Sequence, residues 1–127
     1  MKKLIYIIDD EPAICKIYFH YLMRHFEDVV IKTFSSSEDA IEELALETPD
    51  LLITDYYRVY DPISTGLFLS LIKFNLYRKR PKVLLSSASL CAPDKVGYLA
   101  DAYLAKQDGL KNWRNTVYYL LNDYLLN

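Results

Sequence analysis

Four short apolar runs in this chain each end on residues able to do chemistry. Leu4-Ile5-Tyr6-Ile7-Ile8 gives way to Asp9 and Asp10, and Leu51-Leu52-Ile53-Thr54 to Asp55. Val83-Leu84-Leu85 gives way to Ser86 and Ser87, and Ala102-Tyr103-Leu104-Ala105 to Lys106. Gathered in one place, these would be three carboxylates, a hydroxyl and an ammonium. Clustered carboxylates repel one another unless a cation neutralises them. A donor set of oxygens, with no histidine or cysteine at these positions, suits magnesium and argues against zinc. Beside such a cation an ionised Asp55 can attack a phosphoryl group and hold it as an acyl phosphate. Lys106 would offer a point charge to the phosphoryl oxygens, and the serine hydroxyl a donor. A plainer account competes: aspartate is common at strand ends because it suits turns, and Asp9 and Asp10 could simply cap the helix that follows.

The elements that must position these residues can be read from apolar spacing. The four runs are continuous rather than alternating and are bounded by turn signals, as strands buried on both faces of a parallel sheet are. After the first strand, at residues 3–8, Pro12 and the acids before it suit a helix N-terminus. Ile14, Ile17, Tyr18, Tyr21 and Leu22 then predict a helix from Ala13 to about Phe26. Val29–Thr33 reads as the second strand. Ser36, Ser37 and Glu38 start a helix that Ala40, Ile41, Leu44 and Ala45 carry to about Glu47. The third strand, 51–54, ends at Asp55, and a long loop from Tyr56 to Thr65 precedes helical spacing at Leu67, Phe68, Leu71 and Ile72.

Pro81 and Lys82 lead into the fourth strand, at 83–85. Pro93 permits a short helix over about 93–99, in which Gly97 costs up to about 1 kcal/mol relative to alanine; this is expected to be the loosest element. Residues 102–105 form the fifth strand, and Leu110, Trp113, Val117, Leu120, Leu121 and Tyr124 mark the last helix. Strand and helix thus alternate five times. That pattern predicts an α/β fold, a doubly wound five-stranded parallel sheet with helices on both faces. In such a sheet all strands point one way, so the four chemical strand ends share one edge, where open α/β sheets bind their ligands.

Composition narrows the field further. The 127 residues suit one domain, 1–127, with no output domain, and 52% apolar types support a sizeable core. With 15 basic and 17 acidic residues the net charge is −2, which gives no reason to expect nucleic acid or an anionic membrane as partner. The basic run Arg78-Lys79-Arg80, with Lys82 after it, reads as a solvated turn. Cys15 and Cys91 are far apart and lack ligand spacing, which points to reduced thiols and a cytoplasmic location. The amino-terminal apolar run imitates a signal peptide but is broken by Asp9, Asp10 and Glu11. No run approaches the ~18 residues of a membrane span.

Asp9-Asp10-Glu11-Pro12, Asp55, Ser87-Ala88 and Tyr103-Leu104-Ala105-Lys106, in this order and spacing, resemble the receiver domain of bacterial two-component response regulators. The resemblance covers about residues 3–125 and is to stand-alone receivers such as those of chemotaxis and sporulation. It implies the flavodoxin-like strand order 2-1-3-4-5. It further implies that Asp55 is the phosphoacceptor, served by a sensor histidine kinase or a histidine phosphotransfer protein. Asp10, helped by Asp9 and Asp55, would hold Mg2+, with Mn2+ able to substitute, and the backbone carbonyl of Tyr57 would be a further ligand. Ser87, which Ala88 follows, would be the switch hydroxyl, Tyr103 the aromatic switch, and Lys106 the partner of Asp55 and then of the phosphoryl group. The output would be contact with an unnamed effector protein, or with a second copy, through the surface made by the fourth helix, fifth strand and fifth helix of this reading. Such a protein is a phosphorylated switch and not a turnover enzyme, although it catalyses its own phosphorylation and slow hydrolysis.

The chain also departs from that pattern. Gly66 lies eleven residues after Asp55, where the family has a glycine at eight, and Tyr56, Tyr57, Arg58 and Tyr60 fill the loop. Gln107 replaces the proline that usually follows the lysine, which argues against the family's cis peptide there, since a cis bond before a non-proline residue costs about 3 kcal/mol. Leu99 replaces a customary glycine. Two other functions stay open: an adaptor that works without phosphorylation, which these departures support, and a phosphatase with an aspartyl nucleophile on a similar α/β sheet. The second is disfavoured because its acids would stand two residues apart after the first strand, whereas Asp9 and Asp10 are adjacent.

Overall fold

The computed structural model describes residues 2–55, 65–73, 80–87, 100–105 and 109–122, with the main chain alone for 65–67 and 87. Five strands, β1 (Lys3–Ile8), β2 (Val29–Phe34), β3 (Leu51–Asp55), β4 (Lys82–Ser87) and β5 (Ala102–Ala105), form one parallel sheet in the order β2-β1-β3-β4-β5. Four described helices pack on it: α1 (Pro12–His25), α2 (Ser37–Leu44), α3 (Thr65–Lys73) and α4 (Leu110–Asn122). This is the expected doubly wound architecture. The short helix expected at 93–99 lies outside the described residues. The observed α1 and α2 stop at His25 and Leu44, slightly short of the predicted Phe26 and Glu47. β3 runs one residue further than its apolar stretch, so Asp55 is the strand's last residue.

Strand alternation divides the interior into two layers. Ile5, Ile7, Leu51, Ile53 and Leu84 face α1 and α4, where they meet Tyr18, Leu22, Trp113 and Val117. Tyr6, Ile8, Leu52, Val83 and Leu85 face the other way, onto Ala40 of α2 and Phe68 and Leu69 of α3. The β1, β3 and β4 interiors are therefore apolar on both faces because both faces are covered. In the first layer the Trp113 indole stacks on the Tyr18 ring, centroids 4.3 Å apart at 16°.

Local chemistry sets the ends of the elements. Pro12 occupies the first turn of α1, and Arg24 and His25 lie in its last turn, where positive charge suits the helix dipole. Ser36 caps α2, its Oγ accepting from the Asp39 N–H at 3.2 Å, with Glu38 and Asp39 in the first turn. Gly109 has φ of 91° immediately before α4, a left-handed conformation that favours glycine. At the amino edge of the sheet, two aspartates bracket their neighbours. Asp50 gives its N–H to the Leu4 carbonyl (2.8 Å) and takes the Leu4 N–H on its carboxylate (2.8 Å). Asp101 does the same to Val83, at 2.9 and 2.7 Å.

On the second face, Tyr6 Oη donates to Glu47 Oε1 at 2.9 Å, and Lys32 Nζ bonds both Glu47 and Glu43. Burial, and then the bond to Glu47, push the Tyr6 phenol well above its ordinary value. The bond from Lys32 and then that from Tyr6 hold the Glu47 carboxyl below its usual range. The bond to Glu47 raises the Lys32 ammonium against the opposing effect of burial. Among the described residues no helix is long and apolar enough to cross a membrane.

Candidate phosphoacceptor site

The first face of the sheet changes character in one step. Ile7, Ile53, Leu84 and Ala102 lie in register across four strands and form an apolar row. Two residues further toward the carboxyl edge stand Asp9, Asp55, Ser86 and Leu104. Period-two alternation puts these on the same face as the apolar row beneath. The Asp55–Ser86 and Ser86–Leu104 register pairs place them side by side. Parallel strands with one common direction therefore turn four separate sequence positions into one line at one edge.

Asp9, Asp10 and Asp55 come together: a carboxylate oxygen from each lies within 4.8 Å of the others. Asp9 and Asp55 are buried, 3% and 5% exposed, while Asp10 is the most open of the three. Asp9 is held by its own turn, its Oδ1 accepting from the Glu11 N–H at 2.9 Å, and its carbonyl accepts from the Cys15 thiol at 3.4 Å. The Thr54 hydroxyl donates to the Asp55 carbonyl at 3.0 Å. A groove opens beside Asp9, between α1, the end of β2 and the start of α2, walled by Cys15, Phe19, Thr33, Phe34 and Asp39.

Three carboxylates packed this closely, two of them buried, favour the approach of positive charge. The donors are all oxygens, from the end of β3 and the two residues after β1, one of them open to solvent. That set fits a hard divalent cation that keeps several waters, magnesium before zinc. The three aspartates would hold it.

The remaining expected site residues divide into two groups. Tyr57 and Lys106 lie outside the described residues, as do Ala88, Cys91 and Gln107. Ser87 ends β4 in register with Ala105, the residue before Lys106, and only its main chain is described. Tyr103 is described: it pairs with Leu85 and packs, half-buried, on the α2–α3 side of the sheet, the face opposite the acids. Sequence reasoning did not single out the Asp9–Glu11 turn bond, although an aspartate two residues before a helix-starting amide is a known turn signal. Nor did it predict that Ser86, 2% exposed, has a hydroxyl with no hydrogen-bond partner among the described residues. A buried polar group left so costs about 1–3 kcal/mol.

Comparison with known proteins bears on the fold. No protein-family model and no curated protein matches the sequence. Solved structures do. The signal receiver domain of a LuxO repressor protein from Vibrio parahaemolyticus superposes with a TM-score of 0.82 at 19% identity, over 99% of this chain and 95% of that one. A response regulator from Chloroflexus aurantiacus gives 0.82 at 18%, over 96% and 99%. The chemotaxis response regulator CheY4 of Vibrio cholerae gives 0.82 at 14%, over 95% and 100%. The chain has the fold of response-regulator receiver domains.

Proposed function

We propose that this chain is a receiver: a cytoplasmic phosphoacceptor switch of a two-component phosphorelay, with Asp55 as the modified residue. The observation that carries this reading is the convergence of Asp9, Asp10 and Asp55 within 4.8 Å at the carboxyl edge of the sheet. The receiver fold agrees with it. A bound Mg2+ (or Mn2+) would neutralise the carboxylates and draw in the phosphoryl oxygens. Asp9 and Asp10 would hold that charge beside Asp55, the last residue of β3. An Asp55 carboxylate oxygen attacks the phosphorus of a phosphohistidine on a sensor kinase or phosphotransfer protein. The O–P bond forms as the P–N bond breaks, and its electron pair returns to the imidazole. Ser87 and Lys106 would then contact the phosphoryl oxygens, and Tyr103 would follow Ser87 in a shift between two conformers. The output is protein contact, with an effector or a second copy, rather than turnover of a substrate.

Incubation with acetyl phosphate and Mg2+, read by intact mass, tests the reading. One phosphoryl adduct is expected on the parent, none on Asp55→Asn and none when the metal is chelated. A parent protein that stays unmodified with Mg2+ present overturns it and leaves an adaptor that works without phosphorylation.

A further inference from the structure

We propose that Ser86 is a positioning residue of the phosphoacceptor site, whose hydroxyl donates to the Asp55 carboxylate when that carboxylate engages metal or phosphoryl group. The inference rests on the reading of Asp55 just given and adds to it a residue beyond those that the receiver resemblance picks out. Asp55 and Ser86 are register partners on adjacent parallel strands, and such neighbours stand about 4.8 Å apart. Both are buried, 5% and 2% exposed. Alternation puts both above the Ile53–Leu84 pair, on the face that also carries Asp9.

The surroundings of Ser86 otherwise call for an apolar side chain. Leu84 precedes it on its face, and Leu104 is its partner on the far side. The Ser86 hydroxyl has no partner among the described residues. Among the described residues the one other such buried atom is Trp113 Nε1, equally unbonded, so the two do not satisfy each other. A hydroxyl enclosed in this way is a donor in reserve. The nearest group in register able to accept from it is the Asp55 carboxylate, which has two oxygens with two lone pairs each. A metal and a phosphoryl group would together take up part of that capacity. A donor from the neighbouring strand would hold the carboxylate's plane in the orientation that exposes one oxygen for attack.

An isosteric pair isolates the hydroxyl. Ser86→Thr keeps it and Ser86→Val replaces it with a methyl group, while both add the same bulk; Ser86→Ala removes it without adding an atom. Two readouts are compared: Mg2+ titration without phosphodonor, followed by Trp113 fluorescence, and the rate of adduct formation from acetyl phosphate at saturating Mg2+. Ser86→Val and Ser86→Ala are expected to take up the phosphoryl group ~10-fold more slowly than Ser86→Thr, the scale of one hydrogen bond to a charged acceptor. Their Mg2+ affinity is expected to fall by roughly threefold or more, with thermal midpoints at or above the parent's. A purely structural serine would move the midpoints without separating Thr from Val in either readout, and that result overturns the inference even if the parent is phosphorylated. Should the parent bind Mg2+ with the predicted Thr–Val difference yet form no adduct, the positioning role stands and the phosphoacceptor reading falls. A parent that binds no Mg2+ overturns both.

Discussion

Aspartates stand at both edges of the sheet, and the two groups do opposite work. At the amino edge, Asp50 and Asp101 each face a main-chain amide of the neighbouring strand and bond it at 2.8 and 2.7 Å. Asp101 also lies 3.8 Å from Arg80. These carboxylates are charge-assisted acceptors that hold the register of β1 with β3 and of β4 with β5. At the carboxyl edge, Asp9, Asp10 and Asp55 face one another. The same side chain is a clamp where amides converge on it and a candidate ligand where other carboxylates do. The polarity of parallel strands underlies the difference, since N–H groups left over at strand starts need acceptors, whereas strand ends in an α/β sheet open into the crevice.

The comparison can be broken most directly at Asp55. Asp55→Asn should abolish phosphoryl uptake by mass spectrometry while the thermal midpoint holds or rises, because one of three crowded charges is removed. A large loss of stability would instead make Asp55 structural, like Asp101. Asp10→Asn comes next and should weaken Mg2+ binding by roughly tenfold or more, measured by Trp113 fluorescence, again without loss of stability. The opposite signature belongs to the amino edge. Asp101→Ala leaves the amide of buried Val83 without its side-chain acceptor and should cost about 1–3 kcal/mol in denaturant unfolding, with phosphoryl uptake per folded molecule unchanged.

A smaller effect is expected on the α2 side. Tyr6→Phe should lower stability by about 1 kcal/mol through loss of the bond to Glu47. The pH dependence there has a definite sign. Glu47 is held below its ordinary value, so the stability it brings is present above that value and lost as pH falls through the lowered one. Tyr6 and Lys32 are raised, so theirs is present below about pH 10 and lost as pH climbs past their ordinary values. Glu47→Gln should therefore flatten the acid limb of a stability–pH curve, and Tyr6→Phe the alkaline limb. Smallest of all, Ser36→Ala removes the α2 cap and should cost about 0.5–1 kcal/mol, at the low end for an exposed cap.

The architecture and the acid cluster are both legible in the sequence, for a common reason. Continuous apolar runs mark doubly covered strands, alternation with helical spacing makes them parallel, and parallel strands send Asp9, Asp10 and Asp55 to one edge. The bracketing role of Asp50 and Asp101 is not legible there, because a turn aspartate looks the same whichever amide it meets. Ala88 marks out Ser87 as the switch hydroxyl in the receiver resemblance, but nothing along the chain gives Ser86 a role of its own. Only cross-strand register shows which of two adjacent serines stands beside Asp55.

What the residues alone determined is therefore the pattern of burial: which stretches must be covered on both faces, and which charged residues stand at their ends. What tertiary structure decided is partnership across strands: that Asp55 sits beside Ser86, that Leu4 and Val83 are clamped by aspartates, and that Glu47 joins Tyr6 to Lys32. Burial follows from periodicity within a segment, which a sequence carries in full. Pairing joins residues tens of positions apart, and hydrogen bonds of a few ångströms depend on registers and rotamers that exist only once the strands have met.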